Sequence, residues 1–307
     1  MSLPLETFRG SVNAWECDEN LHMNVRFFGS RAMEGLAFLA AAIDMPRAFQ
    51  ERSYATLQPT DVHIRFLKEA RQGVALSMRG AVTAIDTTSM TTFQEMAHAD
   101  GKPAATFTMK VAHAHTTDLR AFAWPARVKA RAEALKGAVP AHGAPRSLDP
   151  SVAPTSPTVA LAEKLGAPVV GRFAVTPDHC DPFGRMRMEL FLGRVSDAVP
   201  NFLAAWREQS ANADGSRTVG GAVLEYRLCP RRWPRAGDLI EIRSGVVDVA
   251  EKTNRFVHWL LDPVGGEAWC TAEVVAVTMD LVTRKAIAIP EARRALLLQR
   301  AVKGMTI

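Results

Sequence analysis

Two stretches of the sequence combine residue types that could perform acid–base chemistry. Residues 15–25 contain Asp18, His22 and Asn24, and residues 177–188, about 163 positions later, contain Asp181. A carboxylate directly before a helix could attack a carbonyl carbon or activate a water. Free amides of the first helical turn would then stabilise the developing oxyanion. These two stretches are therefore the first candidates for a catalytic site.

The second stretch repeats the first, together with the helix that follows it. When Cys17 is set on Cys180, four further pairs of similar residues fall into register: Met23 with Met186, Phe28 with Phe191, Arg31 with Arg194, and Glu34 with Asp197. A repeat of this length predicts a duplicated domain, because solenoid repeats are much shorter. The paired helix acids are interpreted as surface or capping groups, with a catalytic role as the alternative.

The apolar pattern predicts a long helix followed by four strands in each half. Asn24 is suited to cap the first helix, because its side chain can accept from amides of the first turn. In the first half we expect strands at 8–15, 61–67, 73–85, 89–99 and 104–114, with helices at 25–43 and 126–136. In the second half we expect strands at 172–176, 221–228, 239–250, 254–262 and 268–279, with helices at 188–209 and 291–303. Pro200 lies inside the second long helix and should kink it.

The repeat also predicts the domain organisation. Residues 1–136 form the first domain and residues 159–307 the second. The segment between them, residues 137–158, holds five prolines and two glycines and is expected to be an extended, exposed linker. A broad apolar helix stripe together with antiparallel strands indicates an α+β fold in which the sheet wraps the helix. Two such units would most simply pair as a pseudo-dimer.

Composition excludes several classes of protein. Hydrophobic residues make up 48% of the chain and charged residues 22%, and the net charge is +5, which is too dispersed to indicate nucleic-acid binding. No apolar run is long enough to span a membrane, and the first ten residues lack a signal-peptide core. The four cysteines show neither a CxxC pair nor a metal-binding spacing. We therefore expect a cytoplasmic protein without a metal or a resident cofactor.

Residues 18–25, Asp-Glu-Asn-Leu-His-Met-Asn-Val, resemble the D-x-N-G-H-x-N signature of hotdog-fold acyl-CoA thioesterases of the 4-hydroxybenzoyl-CoA thioesterase type. The resemblance extends over both halves, so it implies two tandem hotdog domains. The chain departs from the signature at three places. Leu21 stands where the family usually has glycine, and in the second half Arg185 replaces the histidine and Arg187 the second asparagine. Whether one or both loops are active stays open.

The resemblance implies roles for the loop residues. Asp18, and by repetition Asp181, would act as nucleophile or general base, while His22 and Asn24 would complete the catalytic set. Asn20, Met23, Gly184 and Met186 would form the oxyanion site and position the substrate. Free amides around Met23 would polarise the thioester carbonyl. His22 is equally compatible with a purely structural hydrogen bond.

The expected substrate is an acyl thioester of coenzyme A or of an acyl carrier protein, so coenzyme A enters only as part of the substrate. The basic cluster Arg231, Arg232 and Arg235 could bind its phosphates, or could be a solvated turn. An enoyl-CoA hydratase of the same fold is the enzyme alternative, although its D-x-N-P-φ-H signature, with φ apolar, is absent. A non-catalytic acyl-CoA-binding protein is the other alternative. We expect a role in lipid metabolism and a possible homodimer.

Overall fold

The computed structural model describes residues 3–204 and 218–307, which form two compact units. The first unit comprises Met1–Pro145 together with Asp178–Leu190, and the second comprises Arg146–Pro177 together with Phe191–Ile307. The units therefore do not follow the linear order of the chain. The second Cys-Asp loop packs with the first unit, although it leads into the long helix of the second half.

The first unit is a five-stranded antiparallel sheet that carries one long helix. The helix α1 spans Val25–Ala42, and the strands are β1 (Leu5–Ser11), β2 (Ala55–Phe66), β3 (Ala75–Ile85), β4 (Ser89–His98) and β5 (Pro103–His115). Their order in the sheet is β1-β3-β4-β5-β2. A short helix, α2 (Ala126–Ala134), follows β5. The predicted long helix and its four following strands are confirmed in this unit.

A close contact between α1 and β4 fixes the helix on the sheet. The buried Gln94 side chain donates to the carbonyl of Ala32 at 2.9 Å. A Cβ atom added to Gly35 would lie 1.9 Å from Oε1 of Gln94, so glycine is what allows this approach. Because α1 cannot shift on the sheet without breaking this contact, the start of the helix and the loop before it are held in place.

The first strand ends earlier than predicted, four residues before position 15. β1 ends at Ser11, and Ala14–Glu16 form a single 3-10 turn instead of continuing the strand. The buried carboxylate of Glu16 explains the turn, because its Oε2 accepts the backbone amide of Asn13 at 2.8 Å. Glu16 also pairs with Arg31 of α1, which ties the turn to the helix.

The second unit repeats the architecture. Its strands are β6 (Val169–Ala174), β7 (Val219–Pro230), β8 (Leu239–Val249), β9 (Thr253–Leu261) and β10 (Ala268–Asp280), and their order is β7-β10-β9-β8-β6. The helices are α3 (Val159–Lys164), α4 (Glu189–Phe202) and α5 (Glu291–Gln299). The last residues of the predicted helix 188–209 lie outside the described residues. Pro200 is inside α4, and the kink stays a prediction.

Most residues of the segment 137–158 are exposed, as expected of the linker, but buried side chains of β7 bind its backbone. Glu225 is 2% exposed and accepts the amides of Arg146 and Ser147 at 2.9 and 2.8 Å. Arg227, also buried, donates to the carbonyls of Asp149 and Val152 at 3.0 and 2.8 Å. A proline-rich segment has few amides of its own to pair, so buried charged side chains hold it in place.

Candidate active site

The first Cys-Asp loop is a tight turn closed by backbone hydrogen bonds. The amide of Asp18 donates to the carbonyl of His22 at 3.0 Å, and the amide of Leu21 donates back to the carbonyl of Asp18 at 2.9 Å. Cys17 and Met23 pair as an antiparallel bridge at the base of the loop. Leu21 has φ +61°, a left-handed conformation that disfavours most side chains. The turn therefore favours glycine at this position, as in the D-x-N-G-H-x-N signature.

The second loop has the same backbone structure. Asp181 donates to the carbonyl of Arg185 at 2.7 Å, and Gly184 donates to the carbonyl of Asp181 at 3.0 Å. Cys180 and Met186 form the corresponding bridge, and Gly184 has φ +74°. The duplicated turn therefore survives in both halves. Any difference in chemistry between the loops must come from side chains.

Asp18 is the carboxylate best placed for chemistry. Its Oδ1 accepts the amide of Asn20 at 2.8 Å, while Oδ2 lies 3.4 Å from Nε2 of His22. Burial raises the pKa of Asp18, and the effect is opposed by His22 and by the Asn20 amide. A desolvated carboxylate is more basic and more nucleophilic than one in water. The geometry therefore brings Asp18, Asn20 and His22 together, as predicted for this loop.

Glu69 is the residue of this site that sequence reasoning missed. Its Oε1 lies 3.7 Å from Nδ1 of His22, so the imidazole stands between two carboxylates. Glu69 belongs to the connection between β2 and β3, and the neighbouring Ala70 carbonyl accepts the amide of Met23 at 2.8 Å. A lone acid in a basic turn gives no periodic signal, so only the folded chain places it beside the loop.

The expected oxyanion donors are partly occupied. The amide of Met23 is used by Ala70, and the amide of Asn24 donates to the carbonyl of Glu16 at 2.8 Å, so neither is free to polarise a thioester. Among the residues that the structure describes, the amide of Val25 has no hydrogen-bond acceptor. Asn24 is the N-cap, as predicted, with its Oδ1 accepting the amide of Arg26 at 2.9 Å.

In the second loop, two backbone amides and an arginine side chain surround the carboxylate. Oδ1 of Asp181 accepts the amides of Phe183 and Arg185 at 2.8 and 3.0 Å, and Oδ2 lies 3.5 Å from Nε of Arg185. The Arg185 side chain is only 3% exposed, and its guanidinium lies 4.8 Å from the ring centre of Phe183. A permanent cation therefore lies beside this carboxylate, where the first loop has the imidazole of His22.

The other candidate groups are placed less favourably. Glu34 and Asp197 are exposed and pair with Arg31 and Arg194 at 2.6 and 3.1 Å, which favours the surface interpretation. Burial raises the pKa of Cys17, so its thiol is not activated as a nucleophile. Met186 is buried at the base of the second loop.

The three arginines of the basic cluster near the end of β7 differ in their ion pairs and their exposure. Arg232 pairs with Asp262 at 3.1 Å and with Glu267 at 3.3 Å, so its charge is largely compensated. Arg231 donates to the hydroxyl of Ser156 at 3.0 Å and is exposed, and Arg235 is also exposed. A phosphate would meet Arg231 and Arg235 more readily than Arg232.

Structural comparison shows the fold of the chain. An acyl-ACP thioesterase from Bacteroides thetaiotaomicron is 12% identical, with a TM-score of 0.63 over 88% of this chain and 96% of that one. A protein assigned as an oleoyl thioesterase from Lactobacillus plantarum gives a TM-score of 0.68 at 12% identity over 90% and 97%. The 12:0-ACP thioesterase from Umbellularia californica gives 0.62 at 12% identity over 88% and 94%. The tandem hotdog prediction is confirmed.

Sequence comparison gives the family. No curated protein matches the sequence. In the described part of the chain, no helix is long and apolar enough to cross a membrane. The family model of the thioesterase-like superfamily matches twice, over residues 12–132 and 175–298, in agreement with the predicted thioester hydrolase. Since these two matches cover most of the sequence, the chain belongs to the thioesterase-like superfamily.

Proposed function

We propose that this protein hydrolyses acyl thioesters of coenzyme A or of an acyl carrier protein, and that the reaction takes place at the first loop. The observation that carries the proposal is the half-buried Asp18 carboxylate, whose Oδ2 faces His22 while burial raises its pKa. Membership of the thioesterase-like superfamily supports the reaction type.

In the proposed mechanism, Asp18 either attacks the thioester carbonyl carbon or removes a proton from the attacking water. The carbonyl oxygen gains negative charge, and the free amide of Val25 at the start of α1 is the donor available to it. The carbon–sulfur bond then breaks, and the thiol leaves with a proton. Where Asp18 is the nucleophile, a water next hydrolyses the acyl–Asp18 anhydride, which releases the free acid and restores the carboxylate. His22 is close enough to Asp18 to supply or accept that proton.

Glu69 has a positioning role in this proposal. A carboxylate beside Nδ1 favours a proton on that nitrogen, which leaves Nε2 directed at Asp18. The effect is indirect, since Glu69 contacts His22 rather than Asp18. Glu69→Gln should therefore lower activity less than Asp18→Asn does.

The second loop serves as a scaffold in this proposal. Its Asp181 is held by two amides and one guanidinium, and Arg185 stands at the position of His22. No imidazole is present at that position to exchange a proton. Asp181→Asn is therefore a matched control for Asp18→Asn, because the two residues share a backbone turn.

The test is thiol release by the wild type from acyl-CoAs of short, long and aromatic chains and from acyl carrier protein substrates. We expect turnover on at least one class. The kcat/KM should fall on the acid side at a pH above the usual range of an aspartate, because the pKa of Asp18 is raised. Hydration without thiol release would indicate the hydratase alternative, and saturable binding without any product would indicate a binding protein. Either result would refute the proposal.

A second experiment tests whether coenzyme A is the carrier, by comparing KM for acyl-CoA between the wild type and an arginine variant. If coenzyme A is the carrier, replacing the exposed Arg231 and Arg235 by alanine should raise KM for acyl-CoA and leave kcat nearly unchanged. Replacing Arg232 should not change this KM, because its charge is already paired with Asp262 and Glu267. An unchanged KM for acyl-CoA would remove these arginines from the substrate site.

A further inference from the structure

The helix-facing side of the second unit contains buried polar side chains that lack partners. Asn254 is 1% exposed, and neither atom of its amide makes a hydrogen bond to any described residue. The hydroxyl of Thr278, which is 0% exposed, is also unpaired within the described chain. Buried polar groups almost always find partners, so two unsatisfied ones on one sheet call for an explanation.

The two side chains lie on the same face of the sheet. Asn254 pairs with Ala276 across β9 and β10, and Thr278 follows two positions later, so both point to one side. Phe256, two positions after Asn254 in β9, contacts Phe202 of α4 at 5.8 Å between ring centres. This face is therefore the one that α4 covers.

The buried side chain of Arg293 lies on the same face of the sheet as Thr278. Arg293 of α5 is 4% exposed, and its Nη1 lies 3.4 Å from the carbonyl of Gly220. Nη2 is 3.4 Å from the position that a Cβ atom of Gly221 would occupy. Gly221 is directly opposite Thr278 in the sheet, so the guanidinium and the hydroxyl share a face. Burial lowers the pKa of Arg293 to about 10, which still leaves it charged at neutral pH.

The first unit provides an internal comparison, because the ends of the two sheets match closely. α2 and α5 both follow a proline N-cap, and their third residues, Val128 and Arg293, are both buried. Asn254 corresponds to the buried Met90, since each is the second residue of its strand. Two apolar residues of the first unit are thus replaced by a guanidinium and an amide in the second.

At the position of Thr278, the two units differ in whether the polar side chain has a hydrogen-bond partner. His113 corresponds to Thr278, because Phe122 and Ile287 donate to their respective carbonyls. Nδ1 of His113 is 3.1 Å from the carbonyl of Phe122, and its ring stacks on Trp124. The first unit therefore has a paired group at this site, whereas the second has an unpaired hydroxyl.

We propose that the second unit binds a small oxyanion, a carboxylate or a phosphate, between Arg293, Thr278 and Asn254. The guanidinium, the hydroxyl and the amide nitrogen all donate, and an oxyanion accepts from each of them. Gly221, which has no side chain, leaves room above the sheet for the guanidinium. This site lies in the other unit from Asp18, so the proposal is independent of hydrolysis at the first loop.

The experiment is calorimetric titration of the full chain with inorganic phosphate and, separately, with butyrate, at constant ionic strength set by chloride. We expect saturable binding of at least one of the two at one site per chain. Arg293→Met should weaken it about tenfold or more, because the charge-assisted hydrogen bonds are lost. Arg294→Ala removes the same charge from the neighbouring position of α5 and should change binding less than about twofold. Phosphate-only or butyrate-only binding identifies the source of the oxyanion.

Thr278→Val is the gentler variant, because it removes the hydroxyl and preserves the branched shape. If the hydroxyl has no protein partner, the variant without ligand should be at least as resistant to urea as the wild type, and it should bind the anion about threefold or more weakly. Absence of binding by the wild type would overturn the proposal. Equal weakening by Arg293→Met and Arg294→Ala would also overturn it, since it would indicate a diffuse charge effect.

Discussion

His258 makes the stability of the second unit dependent on pH. It lies in the sheet with 2% of its surface exposed, and its Nδ1 is 2.7 Å from the hydroxyl of Ser244. Burial lowers the pKa of His258 to about 3, from a usual value of 6.5. The folded protein therefore holds this imidazole neutral at pH values where the unfolded chain would protonate it.

The sign of the effect follows from where the proton binds. Below about pH 6.5 the unfolded state binds a proton at His258 that the folded state does not bind. The free energy of unfolding therefore decreases as the pH is lowered from about 6.5 to about 3. Proton linkage over this range gives a loss of about 2 kcal/mol between about pH 8 and about pH 5. Such a loss is a large part of the 5–15 kcal/mol (roughly) that stabilises a typical domain.

The assay is urea unfolding of the wild type and of His258→Gln at both pH values. Glutamine is the matched replacement, because Gln94 opposes Gly80 in the first unit as His258 opposes Ser244 in the second. The variant should lose about 2 kcal/mol less stability than the wild type on acidification. His98 and His113, whose pKa values are also lowered by burial, contribute equally to both proteins. Identical pH dependence of the two proteins would refute the reasoning.

Three further predictions concern the loops and the core. Leu21→Gly should raise the free energy of unfolding by up to about 1 kcal/mol and Gly184→Ala should lower it by about 1 kcal/mol, because both positions have positive φ; urea unfolding measures both, and equal signs would contradict the account. Glu225→Gln should destabilise the chain by about 1–3 kcal/mol and speed proteolysis within residues 146–158, because one bound amide loses its acceptor; unchanged cleavage would show that the linker is held by other contacts. Gly35→Ala should cost about 1–3 kcal/mol, since the new methyl group overlaps Gln94, and a thermal melt without a shift would contradict that packing.

Local sequence patterns were enough to find the candidate loop. The Cys-Asp motif repeats with its helix, and Asn24 caps α1 as its side chain and position predict. Leu21 departs from the glycine of the signature, and its positive φ shows what that departure costs the turn. Such features depend on neighbours a few residues away, which is why the sequence reveals them.

Contacts between distant segments could not be predicted in the same way. Glu69 reaches His22 only when the connection after β2 folds onto the loop, and the same connection takes the Met23 amide through Ala70. The hold of Glu225 on residues 146–147 likewise joins segments far apart in the chain. None of these contacts follows from a periodic pattern, because each joins segments that meet only in the folded chain.

The most direct test of the central claim compares Asp18→Asn with Asp181→Asn in both kcat/KM and stability. Asp18→Asn should lose about two or more orders of magnitude in kcat/KM, and its unfolding free energy should be maintained or raised, because burial disfavours the ionised carboxylate. Asp181→Asn should keep most of its activity and lose stability, because the buried Arg185 loses its counter-charge. Full activity in Asp18→Asn, or its loss in Asp181→Asn alone, would contradict the assignment of hydrolysis to the first loop.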